Sequence, residues 1–586
     1  MPFDGISMYA AVSELKDKVL GSRITKIYQP LKDEVLINLR RISDELKLII
    51  SANPLNCRIH LTQNNVENPA APPMFCMLLR KYLIGGRIRH ISQFNLERLL
   101  EITIENNNEF MQPVEMKLFI EIMGKHSNII LADSSGTIID CIKRITSDVN
   151  RFRQVLPGEK YVMPPVGDKI NLLSIDRNII MLTFESSVEK IPSQTVSKWL
   201  VDNFAGVSGA SAHEMVYRAG MNESKPISKI TCDELDSLVK VILNLADDIR
   251  SRNFDPVVYL DNNTNNPEDF WVFPMFHKKE KSTHISGVNN AIDFYYAKKS
   301  AVTALEHFKK HALGEVSRNL KKANQNLLHL KKTLEKTEEM EKYRLWGEIL
   351  YANLYRIKPG AKEVKLPNFY NPGEEIVIPL YEKYTPARNA QVYFNRYKKM
   401  HSAITMSETR MQEALNEINY LENILVNIQN SENLDDIYDI YQELESQGYV
   451  KNPVKKNMEK SKSEPLKFKS SDGHIIYVGK NNRQNDILTL KKAKPGDIWL
   501  HAKDIPGSHV IIDCHGKDVT EKTLIEAGTL AAYFSKARNG SNVPVDYTLK
   551  KYVRKPAGAK PGFVIYDHQK TVYVTPDEDT IKKLSL

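Results

Sequence analysis

The sequence predicts a multidomain α+β chain: an N-terminal α/β domain, a helix-hairpin-helix-like module, a long antiparallel coiled-coil hairpin with a small tip domain, and a C-terminal α/β domain. Three observations predict it. Leu313, Val316, Leu320, Ala323, Leu327, Leu330 and Leu334 alternate steps of three and four, and Ile404, Ser407, Met411, Ala414, Ile418, Leu421, Leu425 and Ile428 repeat the rhythm. That spacing keeps one narrow apolar seam toward a partner helix. Between the runs, KPG, NPGEE and TPARN turns forbid one continuous rod, so the runs return on each other around a tip at about 345–397. On either side of residues 290–445, short alternating strands are interleaved with amphipathic helices, at 1–170 and 470–586.

The elements follow in order. FDGISMYAAVSELKDKV is an amphipathic helix capped by Asp4 and ended by Gly21. EVLINLR, LKLIISA and RIHLT alternate as strands; PPMFCMLLRKYLIGG is a helix opened by Pro73 and closed by Gly85 and Gly86. LERLLEITIE, MKLFIEIM and SNIILADSSGTIIDCIK supply further strands. A helical module at 171–270 contains helix, glycine turn (Gly206, Gly209) and helix, whose exposed N–H groups suit phosphate; the competing reading is a plain αα-hairpin turn. PVVYLDNN and FWVFPM are short strands, and AIDFYYAKKSAV leads into the first arm. In the tip, Tyr343, Trp346, Tyr351, Tyr355, Tyr393, Phe394 and Tyr397 fall at helical spacing, as core aromatics do; a stacking platform for bases is the alternative. Residues 446–469 form a proline-broken basic linker, and the last module reads strand, loop, helix, strand, loop, strands.

Composition narrows the function classes. A chain of 586 residues holds three to five domains. No apolar run approaches the roughly 18 residues that span a bilayer, and the N-terminus lacks a basic stretch followed by an apolar one, so no membrane or signal segment is expected. Cys57, Cys76, Cys141, Cys232 and Cys514 are scattered without ligand spacing, which predicts an intracellular protein with reduced thiols, no structural metal and no cofactor. Residues 451–586 carry 25 Lys and Arg against 15 Asp and Glu, essentially all of the net charge of +9. Charge concentrated in one terminal module points to an anionic partner, with nucleic acid first.

Candidate contacts follow from residue type. Glu97 and Arg98 begin a strand and so point to opposite faces; Lys125 and His126 sit in a turn; Arg80 lies on the polar side of a helix. In the last module, Asn481, Asn482, Arg483, Gln484 and Asn485 form an amide-rich loop, and Lys550, Lys551, Arg554, Lys555 and Lys560 a basic run held by prolines and glycines. Both suit RNA backbone, sugar and loop contacts. His501 and His509 lack a matching nucleophile or metal cluster, so they read as structural or RNA-contact residues, and no catalytic residue is assigned.

FDG, RITKIYQP, PPMFCMLLRKYL, LERLL and EIMGKHSNIIL resemble the N-terminal domain of the NFACT family. VGKNNRQND, WLHAKDIPGSHV, VPVDYT and KPAGAKPGFV resemble the family's C-terminal RNA-binding domain, NFACT-R. The resemblance covers essentially the whole chain. It implies a cytoplasmic ribosome quality-control factor, not an enzyme, that binds the large ribosomal subunit through rRNA and stalk-base proteins while that subunit carries peptidyl-tRNA. It further implies recruitment of tRNA(Ala), alanine tailing of the stalled chain by the subunit, and a small RNA-binding quality-control partner. In the family an Asp-Arg pair is implicated in tRNA choice; here the pair is Glu97-Arg98, with a longer carboxylate. The resemblance thus assigns the Glu97-Arg98 pair to tRNA; residue type and position add Arg80, Lys125 and His126 as candidate tRNA contacts, and Asn481, Asn482, Arg483, Lys551, Arg554 and Lys555 as candidate rRNA or tRNA contacts. Two other classes compete. A glycosylase-like DNA-binding enzyme would use Pro2, but Phe3 replaces the expected acid and no cysteine zinc finger follows. A fibronectin-binding adhesin would need secretion and an anchor.

Overall fold

In the computed structural model, Asp4 caps α1 (Gly5–Val19): its Oδ1 accepts from the Ser7 N–H at 2.8 Å. The structure describes residues 3–450 and 463–586, apart from positions 43, 67, 70, 109, 149, 151, 152 and 166. Pro2 and residues 451–462 of the expected basic linker lie outside the described residues. Two compact units divide the chain, Met1–Val302 and Thr303–Leu586.

After α1 come β1 (Arg23–Tyr28), β2 (Glu34–Arg41), β3 (Asp44–Ser51), β4 (Arg58–Leu61), α2 (Met74–Leu83), β5 (Arg87–Gln93), β6 (Leu99–Asn107), β7 (Pro113–Glu121), β8 (Asn128–Asp133) and β9 (Ile138–Cys141). The nine strands form one antiparallel sheet in the order β4-β3-β2-β1-β5-β6-β7-β8-β9. The sequence marks β2 to β4 and β6 to β9 as strands but not β1 and β5. In those two the buried residues are three apart, Ile24 with Ile27 and Ile88 with Ile91. The physical cause is a bulge in each, at Ile24/Lys26 and Ile88/His90, whose extra residue breaks the period of two.

Four helices follow, α3 (Arg177–Lys190), α4 (Val196–Asn203), α5 (Gly209–Arg218) and α6 (Cys232–Ser251), then a three-stranded sheet of β10 (Val257–Leu260), β11 (Pro267–Trp271) and β12 (Lys281–His284). One apolar core joins Leu15 of α1, Ile104 of β6, Trp199 of α4, Ile242 of α6 and Trp271 of β11.

The long helix α7 (Val288–Leu334) has 47 residues, about 70 Å at 1.5 Å per residue. AIDFYYAKKSAV is therefore already helix, and Glu335 and Lys336 interrupt the run before α8 (Thr337–Ala352). β13 (Glu363–Pro367) and β14 (Glu375–Pro379) pair antiparallel, followed by α9 (Pro386–Asn430) and α10 (Leu434–Ser446). Every residue of the two seams is buried or half-buried. Val316 and Ala323 of α7 share a core with Leu421, Ile424 and Ile428 of α9 and Ile437 and Leu444 of α10. A separate core gathers Ile349 and Leu350 of α8, Leu366, Ile378 and Tyr393. Tyr343 and Trp346 pack against it, as their spacing predicts, whereas Tyr351 and Tyr355 are exposed.

The last module comprises β15 (Leu466–Lys469), β16 (Ile475–Val478), α11 (Asn482–Asp486) running into a π-helical turn, β17 (Ile498–Ala502), β18 (Val510–Asp513), α12 (Glu521–Tyr533), β19 (Val543–Leu549), β20 (Val553–Arg554), β21 (Ile565–Tyr566), β22 (Lys570–Val574) and α13 (Glu578–Leu584). Its six-stranded antiparallel sheet runs β15-β16-β18-β17-β19-β22. Leu530 and Ala531 of α12 pack with Ile476, Leu500 and Val545, while Trp499, Ile511, Leu488 and Val553 make a second cluster.

Candidate nucleic-acid interfaces

Glu97 and Arg98 lie in a bend before β6, not on the strand, so the rule of opposite faces does not apply to them. Asn95 and Leu96 take positive φ (43° and 57°) and curl the chain back, with the Glu97 N–H donating to Phe94 O at 2.6 Å. The bend is pinned from below. Gln93 Nε2 donates to both Gly5 O (3.0 Å) and Glu97 O (2.9 Å). Leu96 is buried against Gly5, where a Cβ would stand 1.9 Å from Leu96 O; only glycine permits that approach.

The α4–α5 turn also packs here, and its helix start has partners of its own. Ser208 and Ser211 close a capping box on α5, and Ser208 Oγ donates to the buried Asp4 carboxylate at 3.0 Å. A carboxylate, whose pKa burial pushes up, stands beside the start where the glycine turn suggests a phosphate cradle. The turn therefore serves packing of α5 onto the start of α1.

Lys125 and His126 share the end of the sheet that carries the Glu97–Arg98 bend. Leu99 pairs with Glu121, the Ile122 N–H donates to Arg98 O at 2.9 Å, and the exposed turn of Lys125 and His126 follows at once. Arg80 is elsewhere. Its Nε donates to Ile27 O at 2.7 Å. Because β1 and β5 are antiparallel and pair at Arg23 and Arg87, Ile27 and the bend lie toward opposite ends of the sheet.

In the last module the predicted residues split into inward and outward sets. Asn481 caps α11, accepting from the Gln484 N–H at 2.9 Å, and is 1% exposed. Asn482 is 2% exposed, and its Nδ2 donates to Glu443 Oε1 at 3.0 Å. Gly562, at φ +78°, closes over it; a Cβ there would stand 2.7 Å from Asn482 Oδ1. Arg483 Nη2 donates to Gln442 O and Ser446 Oγ, both at 3.1 Å. Lys555 pairs with Asp486 at 2.5 Å, and Lys560 bonds the Tyr449 hydroxyl. Lys551 and Arg554 remain exposed, Arg554 near Asp567 at 3.4 Å. The amide-rich loop is thus an N-cap and a docking surface for α10.

His509 is buried with Nδ1 2.8 Å from Thr489 Oγ1, and burial lowers the pKa of both His501 and His509. No group of three or more His, Cys, Asp or Glu suited to a metal ion occurs among the described residues. No helix among them is long and apolar enough to cross a membrane. Sequence reasoning missed Glu443, which is fully buried and accepts from Tyr420 Oη at 2.9 Å. The available signal was its place beside Ile440 and Leu444 on the apolar stripe of α10.

Comparison with known proteins completes the picture. Residues 4–463 match the model of the NFACT N-terminal and middle domains, and 465–567 that of the NFACT protein RNA binding domain. The chain is 40% identical to the Rqc2 homolog RqcH of Bacillus subtilis over all of both chains. It is 23% identical to the human ribosome quality control complex subunit NEMF, covering 91% of this chain and 56% of that one. A solved structure of the C-terminal part of the fibronectin/fibrinogen-binding protein from Streptococcus suis is 35% identical, covers 48% of this chain and 99% of its own, and has a TM-score of 0.39. With both family models in order and a relative matched from end to end, the chain belongs to the NFACT family.

Proposed function

We propose that this protein acts in ribosome quality control in the cytoplasm, binding large subunits that carry peptidyl-tRNA and recruiting tRNA(Ala) so that the subunit extends the stalled chain with alanines. The observation that carries the reading is the 40% identity to RqcH over both full lengths. The RNA-binding domain match at 465–567 and the basic C-terminal region agree with an RNA partner. On this reading the chemistry belongs to the subunit's own peptidyl-transferase centre, and the protein contributes binding and orientation.

The division of labour we infer places tRNA at the bend of Glu97 and Arg98 with Lys125 and His126, and anchoring at Lys551 and Arg554. Arginine's planar fork makes paired bonds to phosphate or to a guanine edge, which favours Arg98 as the direct contact. The same reading takes α7 and α9 as an antiparallel arm with a tip at 345–397 that reaches rRNA and stalk-base proteins, between an N-terminal domain (1–170), a helix-hairpin-helix module (171–270) and the RNA-binding domain (470–586). A small RNA-binding partner belongs to this reading too. Affinity purification from lysate under ribosome-splitting stress, with sequencing of bound RNA, tests it. Free large subunits and enriched alanine tRNA are expected; intact ribosomes alone, or DNA, without tRNA enrichment, reject it.

A further inference from the structure

We propose that three arginines set side by side across the first sheet, Arg40, Arg23 and Arg87, bind the phosphate backbone of tRNA, an inference that rests on the tRNA partner proposed above. β2, β1 and β5 are neighbouring strands, and Arg23 stands opposite Arg40 on one side and Arg87 on the other. Neighbouring strands lie about 4.8 Å apart, and directly opposed residues share a face of the sheet. All three arginines are exposed, while Ile24, Leu39 and Ile88, next to them in sequence, are buried in the core.

Two features separate this row from an ordinary solvated surface. The first is placement. Like charges directly opposite each other destabilise a sheet, and here two such pairs are consecutive. The second is neutralisation. None of the three arginines forms an ion pair among the described residues. Glu105, opposite Arg87, is held by Arg89, so within the row only Glu45, opposite Arg40, is left to face three guanidiniums. Arg23 Nε donates to Gly85 O at 3.2 Å and Arg87 Nη1 to Gly21 O at 3.1 Å. One anchoring bond apiece leaves several N–H donors of each guanidinium for a ligand. Lys26, exposed and opposite Asn38, and Lys18, whose carbonyl accepts from Arg41 Nη1 at 3.2 Å, extend the positive surface. Asp17, beside Lys18, is paired with Arg252 at 3.5 Å.

The chemistry of the row selects its occupant. A guanidinium fork matches the oxygens of a phosphate in paired hydrogen bonds. A single phosphate would leave the outer arginines unanswered, whereas a chain of phosphates meets each in turn. The place of the row points to tRNA. Arg87 opens β5, and Gln93, at the other end of that strand, holds the bend of Glu97 and Arg98. Six residues of strand span about 20 Å, a distance that the backbone of an RNA held at the bend readily covers. Phosphate contacts position a nucleic acid, and base contacts specify it. The row therefore supplies affinity and register, and the bend supplies selection.

The test uses the full chain with Arg23, Arg40 and Arg87 changed together to Gln, or together to Lys. Gln removes the charge and keeps a donor for Gly85 and Gly21; Lys keeps the charge. Affinity for labelled alanine tRNA and for one other tRNA is measured across a salt series. The Gln variant should lower the slope of log affinity against log salt by about 2 to 3 for both tRNAs, leaving the ratio between them unchanged. The Lys variant should retain the slope. Hydrogen exchange in β1, β2 and β5 should be no faster in the Gln variant, because like-charge repulsion has been removed. Equal loss of binding in the Lys and Gln variants, or faster exchange with an unchanged slope, marks the arginines as structural and overturns the proposal. An unchanged slope and unchanged exchange, in a chain that still binds tRNA, overturn the row and leave the tRNA reading standing. Failure of the unaltered chain to bind either tRNA overturns both. Tighter, variant-sensitive binding of polyglutamate overturns RNA in favour of an acidic protein.

Discussion

Replacing Asn482 with Ala distinguishes a structural amide from an RNA contact. Asn482 Nδ2 and Tyr420 Oη donate to the same oxygen of Glu443, at 3.0 and 2.9 Å, and the other carboxylate oxygen has no partner among the described residues. Burial pushes the Glu443 pKa up, and the Asn482 and Tyr420 donors, with the nearby Arg483, act against that rise. Losing a hydrogen bond to a charged group costs about 1.5–3 kcal/mol. A central value of about 2 kcal/mol is roughly a thirtyfold change in a local opening equilibrium. A chain of several domains does not unfold in two states, so the readout should be local. Hydrogen exchange of the full chain should accelerate about thirtyfold in α10 and α11 and stay unchanged in Met1–Val302. Asn482→Asp, which sets a second carboxylate against Glu443, should be worse at neutral pH and recover partly in acid. Unchanged exchange in the Ala variant, together with weaker rRNA binding, would refute the assignment and return Asn482 to the RNA surface.

The pair Glu97→Ala with Arg98→Ala should abolish alanine tRNA recovery while large-subunit co-sedimentation survives; loss of both together would show that the bend serves anchoring. Lys551→Ala with Arg554→Ala should weaken subunit binding and lower the slope of log affinity against log salt by about 2, whereas Lys555→Ala, which breaks the pair with Asp486, should act mainly on the stability of the last module. Burial holds the His60 pKa down at about 4, against 6.5 for a free imidazole. Below pH 6.5 the unfolded chain binds a proton that the folded one refuses, so stability falls as pH drops toward about 4, by up to about 3 kcal/mol. Exchange from β4 followed against pH should show that loss, and His60→Gln should flatten it; a flat wild-type profile over this window would contradict the assignment.

The sequence by itself determined the elements whose periodicity is undisturbed. The 3-4 seams of α7 and α9 were legible because a spacing near 3.5 commits one stripe to burial, and all their positions are buried or half-buried. Short apolar runs bounded by turn residues likewise marked β2 to β4 and β6 to β9. Bulges hid β1 and β5, and β12 (KSTH) and β13 (EVKLP) are too short and polar to carry a period. For the candidate sites, charge composition located an exposed Lys551 and Arg554. It could not separate them from Lys555, Lys560, Asn481 and Asn482, which have the same kinds of polar groups and turn inward. That difference was decided by tertiary structure alone. Whether a polar side chain meets water or a partner depends on groups distant along the chain: Glu443 lies 39 residues from Asn482, and Asp486 lies 69 from Lys555. The curl that sets Glu97 and Arg98 off the strand has the same origin, because Leu96, at positive φ, packs against Gly5 from the start of the chain and Gly206 from the α4–α5 turn.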